Sequence, residues 1–155
     1  MPITQNQKAF LDMIAFSELG PKLLAKSDNG YNVIVGGALF HNNYADHPRI
    51  LVKLPKLRIS STAAGRYQLL QRYFDAYKKT LGLKDFSPAS QDAIALQQIR
   101  ERKALADIEN GHIAAAVQKV KNIWASLPGA GYGQHEQKLE HLLAAFDAAG
   151  GNRIA

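Results

Sequence analysis

Among the thirteen Asp and Glu residues of this 155-residue chain, one stands where a carboxylate is costly. Glu18 lies four residues after Ile14 and eight after Phe10, so it continues the apolar stripe of the helix those residues define. Burial disfavours the charged form and raises the pKa. A carboxylic acid still protonated near neutral pH can act as a general acid. The competing reading is that the helix frays before Glu18 and the side chain simply reaches solvent.

Other constellations carry less. His135-Glu136 begins like a zinc-protease motif, but Leu139 stands where the second histidine is needed, and His141 comes too late. His41, Asp46 and His47 share a polar loop, the ordinary composition of a surface. With no cysteine in the chain, thiolate metal sites, a cysteine nucleophile and a disulfide scaffold are all excluded. No metal is expected. Gly129-Ala130-Gly131-Tyr132-Gly133 has the glycine content of a phosphate-binding loop. It follows Pro128 instead of a strand, however, and no Lys-Ser or Lys-Thr closes it. It reads as a flexible lip carrying Tyr132, or as a plain helix connector, and no cofactor is expected. Tyr67 and Gln68 follow Ser60-Ser61-Thr62-Ala63-Ala64-Gly65-Arg66, a polar entry into a helix, and in its first turn they would border a cleft. An aromatic ring beside amide and hydroxyl groups suits a sugar, whose faces stack and whose hydroxyls need partners.

The elements that must position these residues follow from caps and periodicity. Thr4-Gln5-Asn6-Gln7 is a capping box, and Phe10, Met13, Ile14 and Phe16 continue it as a helix that stops near Gly20-Pro21. Residues 31–35 are β-branched and aromatic before Gly36-Gly37, which predicts a short hairpin or small sheet. Residues 50–57 alternate apolar and basic around Pro55, an edge strand or flap. Helices are predicted over about 65–81, from Ser87-Pro88 with Ser87 as N-cap, over 105–110, 112–126 and 134–149. Ala93, Leu96 and Ile99 are the inward residues of the second of these. The pattern is α+β: a mostly helical body, a small β lobe and a cleft between them, in one domain spanning residues 1–155.

Nineteen Lys and Arg against thirteen acids leave a net charge of +6, which suits an anionic partner but names none. The N-terminus lacks a basic start followed by an apolar run, and no stretch approaches the roughly 20 residues of a bilayer span. A protein made in the cytoplasm is expected, with no stable membrane insertion.

Several segments resemble the lambda-type phage lysozymes. They include residues 8–18, Gly30-Tyr31-Asn32-Val33-Ile34-Val35-Gly36-Gly37, Asp46-His47-Pro48-Arg49, Ala64-Gly65-Arg66-Tyr67-Gln68-Leu69-Leu70, residues 81–88, and residues 122–133 from Asn122-Ile123-Trp124 through the glycine-rich loop. The resemblance runs in order along nearly the whole chain. It implies a lysozyme-like fold and a phage or prophage endolysin, a lytic transglycosylase that cuts the β-1,4 bond between N-acetylmuramic acid and N-acetylglucosamine of peptidoglycan. The products end in 1,6-anhydro-muramic acid, and the host cell is lysed. The family's catalytic glutamate falls on Glu18; Asp46, Tyr67, Gln68 and Tyr132 are candidates for substrate contact. The sequence departs from the family pattern at Asn32, where that pattern has aspartate, and matches it less well over residues 54–61. The implied partners are peptidoglycan glycan strands, not nucleic acid. A monomer is implied, released by a holin to act in the periplasm. The alternatives are a hydrolysing muramidase with Asp46 as second carboxylate, and a basic, non-catalytic module that binds cell wall or nucleic acid.

Overall fold

The computed structural model describes residues 2–154. In chain order the elements are α1 (Gln5–Lys26), β1 (Val52–Leu54), a 3-10 turn (Pro55–Leu57), β2 (Ile59–Ser61), α2 (Gln71–Leu81), α3 (Pro88–Glu101), α4 (Leu105–Glu109), α5 (Ile113–Val120) and α6 (Leu139–Ala148). Helices dominate and the strands are segregated, the α+β class the pattern predicts. The chain packs as two compact units, one built from residues up to Glu18 together with those from Leu96 onward, the other from Leu19–Ala95.

The first unit is helical. Thr4 and Gln7 form the capping box: the Gln7 amide donates to Thr4 Oγ1 at 3.1 Å and the Thr4 amide to Gln7 Oε1 at 3.3 Å. From there Ala9, Phe10, Leu11, Met13, Ile14 and Ala15 are all buried, so α1 is covered on nearly every side over residues 9–15. Ile99, Ile108, Ile113, Val117, Trp124, Leu142 and Phe146 are among the residues buried with them. Asn6 ties the chain ends together. Its Nδ2 donates to the carbonyls of Ile108 and Asn152, and its Oδ1 accepts the Asn152 amide at 2.8 Å. α5 ends at Val120, short of the expected 126, because Ile123 and Leu127 donate to carbonyls three residues back and the helix tightens into turns.

The second unit holds a core of Ile34, Phe40, Ala64, Leu69, Phe74, Phe86 and Ile94. His47 is buried among it, its ring centroid 5.0 Å from Phe86 and 5.9 Å from Phe74, with Nε2 hydrogen-bonded to the Leu69 carbonyl. The expected hairpin over 31–40 is only a set of isolated bridges, Val33 with Leu39 and Ile34 with Ala64. The two-stranded antiparallel sheet lies later, at β1 and β2, where Leu54 opposes Ile59 and Val52 opposes Ser61. α2 begins at Gln71 and not near 65, because residues 64–69 close an antiparallel bridge of their own. Ser87 caps α3 as predicted, accepting the Ser90 amide at 3.2 Å. Of the three inward residues expected there, only Ile99 is fully buried; Ser90, Gln91, Ile94 and Ala95 take the other inward places.

Candidate active site

α1 does not stop at Gly20-Pro21; it breaks there and resumes. Pro21 has no N–H for the carbonyl of Ser17, four residues back, so the ladder fails one residue before Glu18. Gly20 absorbs the change of direction with φ +79° and ψ 161°. A β-carbon on Gly20 would meet nothing within 4 Å, so the left-handed backbone alone selects glycine. Glu18 thus sits at the end of the first helical segment, partly exposed, just past the buried Ser17.

The carboxyl of Glu18 meets Ser126, whose hydroxyl donates to Glu18 Oε2 and whose amide lies 3.4 Å from the same oxygen. Ser17 Oγ lies 2.7 Å from Ser126 Oγ, and either hydroxyl can donate. These contacts form a three-member chain that can run in either direction. When Glu18 is charged, Ser17 donates to Ser126 and Ser126 donates to the carboxylate. When Glu18 is protonated, its O–H donates to Ser126 and Ser126 donates to Ser17. Burial pushes Glu18 up to about 6 from an ordinary 4.5, and the hydroxyl and amide of Ser126 hold it from rising further. A group poised there offers both its acid and its base form near neutral pH.

Ser126 opens the glycine-rich loop, which is pinned along its length. The Gln137 amide donates to the Ser126 carbonyl at 2.7 Å. The Glu136 carboxylate accepts the amides of Gly131 and Gly129 at 3.0 and 2.9 Å, which holds its pKa below the usual carboxylate range. These bonds occupy the stretch expected as the first turn of the last helix, and α6 starts only at Leu139. Tyr132 is 54% exposed, and its hydroxyl donates to the Asn122 carbonyl. Its ring is therefore held by one end and open to solvent on its face.

The other expected contacts lie in the second unit, and their surroundings differ from the expectation. Asp46 is gripped by Arg49, with Arg49 Nε at 2.7 Å and Nη2 at 3.2 Å, and Arg49 also holds Asp75 at 2.6 Å. The Arg49 hydrogen bonds keep the Asp46 carboxyl below its ordinary range. Tyr67 does not border a helix's first turn; it is 5% exposed and belongs to a buried network. Its hydroxyl donates to Asp92 at 2.6 Å and accepts from Arg66, while Tyr31 donates to the same Asp92 carboxylate. The Arg66 guanidinium also faces the rings of Tyr31 and Tyr67 at 5.4 and 5.6 Å. Gln68 stays partly exposed at φ +52°, its amide nitrogen donating to the Gly65 carbonyl at 2.8 Å. Asn32 is structural: its Oδ1 accepts the Asp28 amide at 2.8 Å. Among the described residues no three His, Asp or Glu side chains converge as a metal-binding group would.

Sequence reasoning missed Ser17 and Ser126. Ser126 is 108 residues from Glu18, and no local pattern links them. The only available signal was that Ser126 closes the Trp124-Ala125-Ser126 end of a helical segment beside the glycine-rich loop.

Three comparisons bear on this arrangement. A family model described as Endolysin matches residues 8–153. The endolysin of Escherichia phage lambda is 61% identical over 151 residues, covering 96% of this chain and 94% of the relative. The endolysin of Escherichia phage P2 is 47% identical over 155 residues, covering 95% of this chain and 94% of its own. Among solved structures, lysozyme from bacteriophage lambda superposes with a TM-score of 0.89 at 57% identity. Bacteriophage lambda lysozyme complexed with a chitohexasaccharide gives 0.93 at 56%, and each of the two alignments covers 99% of both chains.

Proposed function

The chain belongs to the endolysin family, and from that premise we propose that it is a peptidoglycan lytic transglycosylase in which Glu18 is the only acid and base. Protonated Glu18 gives its proton to the glycosidic oxygen between N-acetylmuramic acid and N-acetylglucosamine. The C1–O bond breaks, and the N-acetylglucosamine strand leaves with that proton as its O4 hydroxyl. The resulting carboxylate takes the proton of the muramic acid C6 hydroxyl, whose oxygen bonds to C1. The ring closes as a 1,6-anhydro sugar, Glu18 is protonated again, and no water is consumed.

One observation carries this reading. Glu18 is desolvated, held near a pKa of 6, and joined to a hydroxyl chain that accommodates both of its protonation states. A single group that must first give and then take a proton needs that environment. The saccharide carried by the solved lambda lysozyme supports a β-linked glycan as the ligand class. Tyr132 and Gln68, both with side-chain surface open to solvent, are assigned to sugar contact, whereas Tyr67 and Asp46 hold their own segments in place. The hydrolysing alternative needs Asp46 as nucleophile or base. Both of its oxygens are engaged by Arg49, which favours the one-carboxylate mechanism. We further assign the protein to the host cytoplasm at synthesis, as a monomer that reaches the periplasm through a holin.

The test is the chemistry of the product ends. Digestion of purified peptidoglycan in heavy-oxygen water should leave new muramic acid ends unlabelled, non-reducing and about 18 Da lighter than hydrolysed ends, because internal attack excludes water. Labelled reducing ends would assign the reaction to a hydrolase.

A further inference from the structure

Lys121 follows Val120, the last residue of α5, and its side chain runs along the glycine-rich loop. A β-carbon on Gly129 would lie 3.6 Å from Lys121 Cδ and 3.7 Å from its Nζ, so the alkyl stem packs over the bare backbone of that glycine. The residue is half-buried there. Its Nζ donates to Gln118 Oε1 at 3.0 Å, a neutral acceptor, and among the described residues no carboxylate pairs with it. An ammonium has three donors, and this bond uses one. Between Glu109 and Glu140 the chain holds a single acid, Glu136. The amides of Gly129 and Gly131 engage that carboxylate, and they are what lower its pKa. Lys121 is therefore a cation held in place by its stem, beside the loop, with no ion pair of its own.

The loop ties that cation to the site. Tyr132 donates to the carbonyl of Asn122, the residue after Lys121, and Ser126 donates to Glu18. Lys121, the exposed Tyr132 ring and the Glu18 carboxyl are thus attached to one segment, residues 121–132. A strand of alternating N-acetylmuramic acid and N-acetylglucosamine is neutral along its sugar rings. Its negative charge sits on the lactyl arm at muramic acid C3, as the lactyl carboxylate itself or as carboxylates of the peptide joined to it. Tyr132 offers the strand a ring face and Gln68 an amide, and neither recognises a charge. We infer that Lys121 is a specificity-determining residue that pairs with a carboxylate borne by the lactyl arm. The pairing separates peptidoglycan from neutral β-linked glycans such as chitin, which share its sugar faces and hydroxyls but carry no anion. This inference rests on peptidoglycan as the substrate and on Tyr132 as a sugar contact, and it adds the reading of charge.

Steady-state kinetics on solubilised glycan strands test it, with the parent, Lys121→Met and Lys121→Arg proteins. Methionine keeps an unbranched stem over Gly129 and removes the charge; arginine restores the charge. Strands that retain their peptides are compared with strands stripped by an amidase, which leaves a bare lactyl carboxylate on each muramic acid. At low salt Lys121→Met should raise KM about three- to fivefold, the weight of one partly screened ion pair, with kcat within about twofold. Lys121→Arg should stay near the parent, and the gap between parent and Lys121→Met should close at high salt. Binding of chitohexaose, a neutral probe, should be equal in all three. A rise in KM confined to peptide-bearing strands assigns the ion pair to the peptide carboxylates; a rise on stripped strands assigns it to the lactyl group. Matching thermal transitions establish that the variants are folded, and if Lys121→Met unfolds, Lys121→Gln carries the test. Unchanged KM in the uncharged variant, with or without a fall in kcat, overturns the inference. So does an equal loss of chitohexaose affinity, or failure of Lys121→Arg to restore KM, either of which marks a structural role at Gly129. A parent inactive on both kinds of strand removes peptidoglycan as the substrate and the inference with it, whereas an active parent with an unaltered variant removes the inference alone.

Discussion

Glu18→Gln should abolish wall lysis and, at alkaline pH, make the protein more stable. Glu18 ionises at about 6 in the folded chain and 4.5 in its ordinary state. Between those values the folded protein binds more protons than the unfolded one. Stability therefore falls as pH rises through this window and stays lower above it. The gap of 1.5 units corresponds to about 2 kcal/mol, since one unit is about 1.36 kcal/mol. Glutamine carries no charge at any pH and avoids that loss, while its amide can still donate to Ser126. Urea unfolding of both proteins at pH 4 and pH 8 measures the difference. The variant should match the parent within about 0.5 kcal/mol at pH 4 and exceed it by about 1–2 kcal/mol at pH 8. That gain is about 2–8 °C in melting temperature for a chain of this size. A stability difference equal at both pH values, or a variant less stable at pH 8, would refute the claim that burial of this carboxyl is strained. Near-normal lysis by the folded variant would remove Glu18 from the chemistry.

Ser126→Ala removes the hydroxyl that donates to the charged form of Glu18, so the pKa should rise by about one unit, read by carboxyl-carbon NMR with Glu18→Gln as the assignment control. The fall in rate at high pH should move upward with it. Ser17→Ala should move it in the same direction by less, because Ser17 acts only through Ser126. Asp46→Asn should keep measurable lysis with anhydro ends and change stability by less than about 1 kcal/mol, as expected of an exposed ion pair. Complete loss of lysis in a folded Asp46→Asn protein would favour the hydrolase. Gly65→Ala should cost about 3 kcal/mol or more in denaturant unfolding. A β-carbon there lies 2.4 Å from Gln91 Oε1 and 2.8 Å from Phe86, on a backbone at φ +86°.

Local chemistry was legible at two helix starts, where a capping residue's partner lies within one helical turn. The capping box at Thr4 and Gln7 and the cap of α3 at Ser87 are bonds between residues three apart, and both form as read. Helical phase alone singled out Glu18, because the stripe through Phe10 and Ile14 is set by 3.6 residues per turn. The helix starts that failed have a common cause in tertiary bonds. α2 begins late because Ala64 pairs with Leu69, and α6 because Glu136 and Gln137 are spent on Gly129, Gly131 and Ser126. Composition suggested strands at 31–35, but the backbone groups there bond to Ala38 and Ala63 in single bridges, and the sheet forms in the less regular 52–61. Tyr67 read as a site aromatic, yet Asp92 and Arg66, 25 and 1 residues away, draw its hydroxyl inward. The Glu18–Ser126 pairing depended most on the fold. Periodicity can put a carboxylate on a buried face, but only folding brings a hydroxyl from 108 residues away to hold it, and that contact offsets part of the rise in pKa that burial causes.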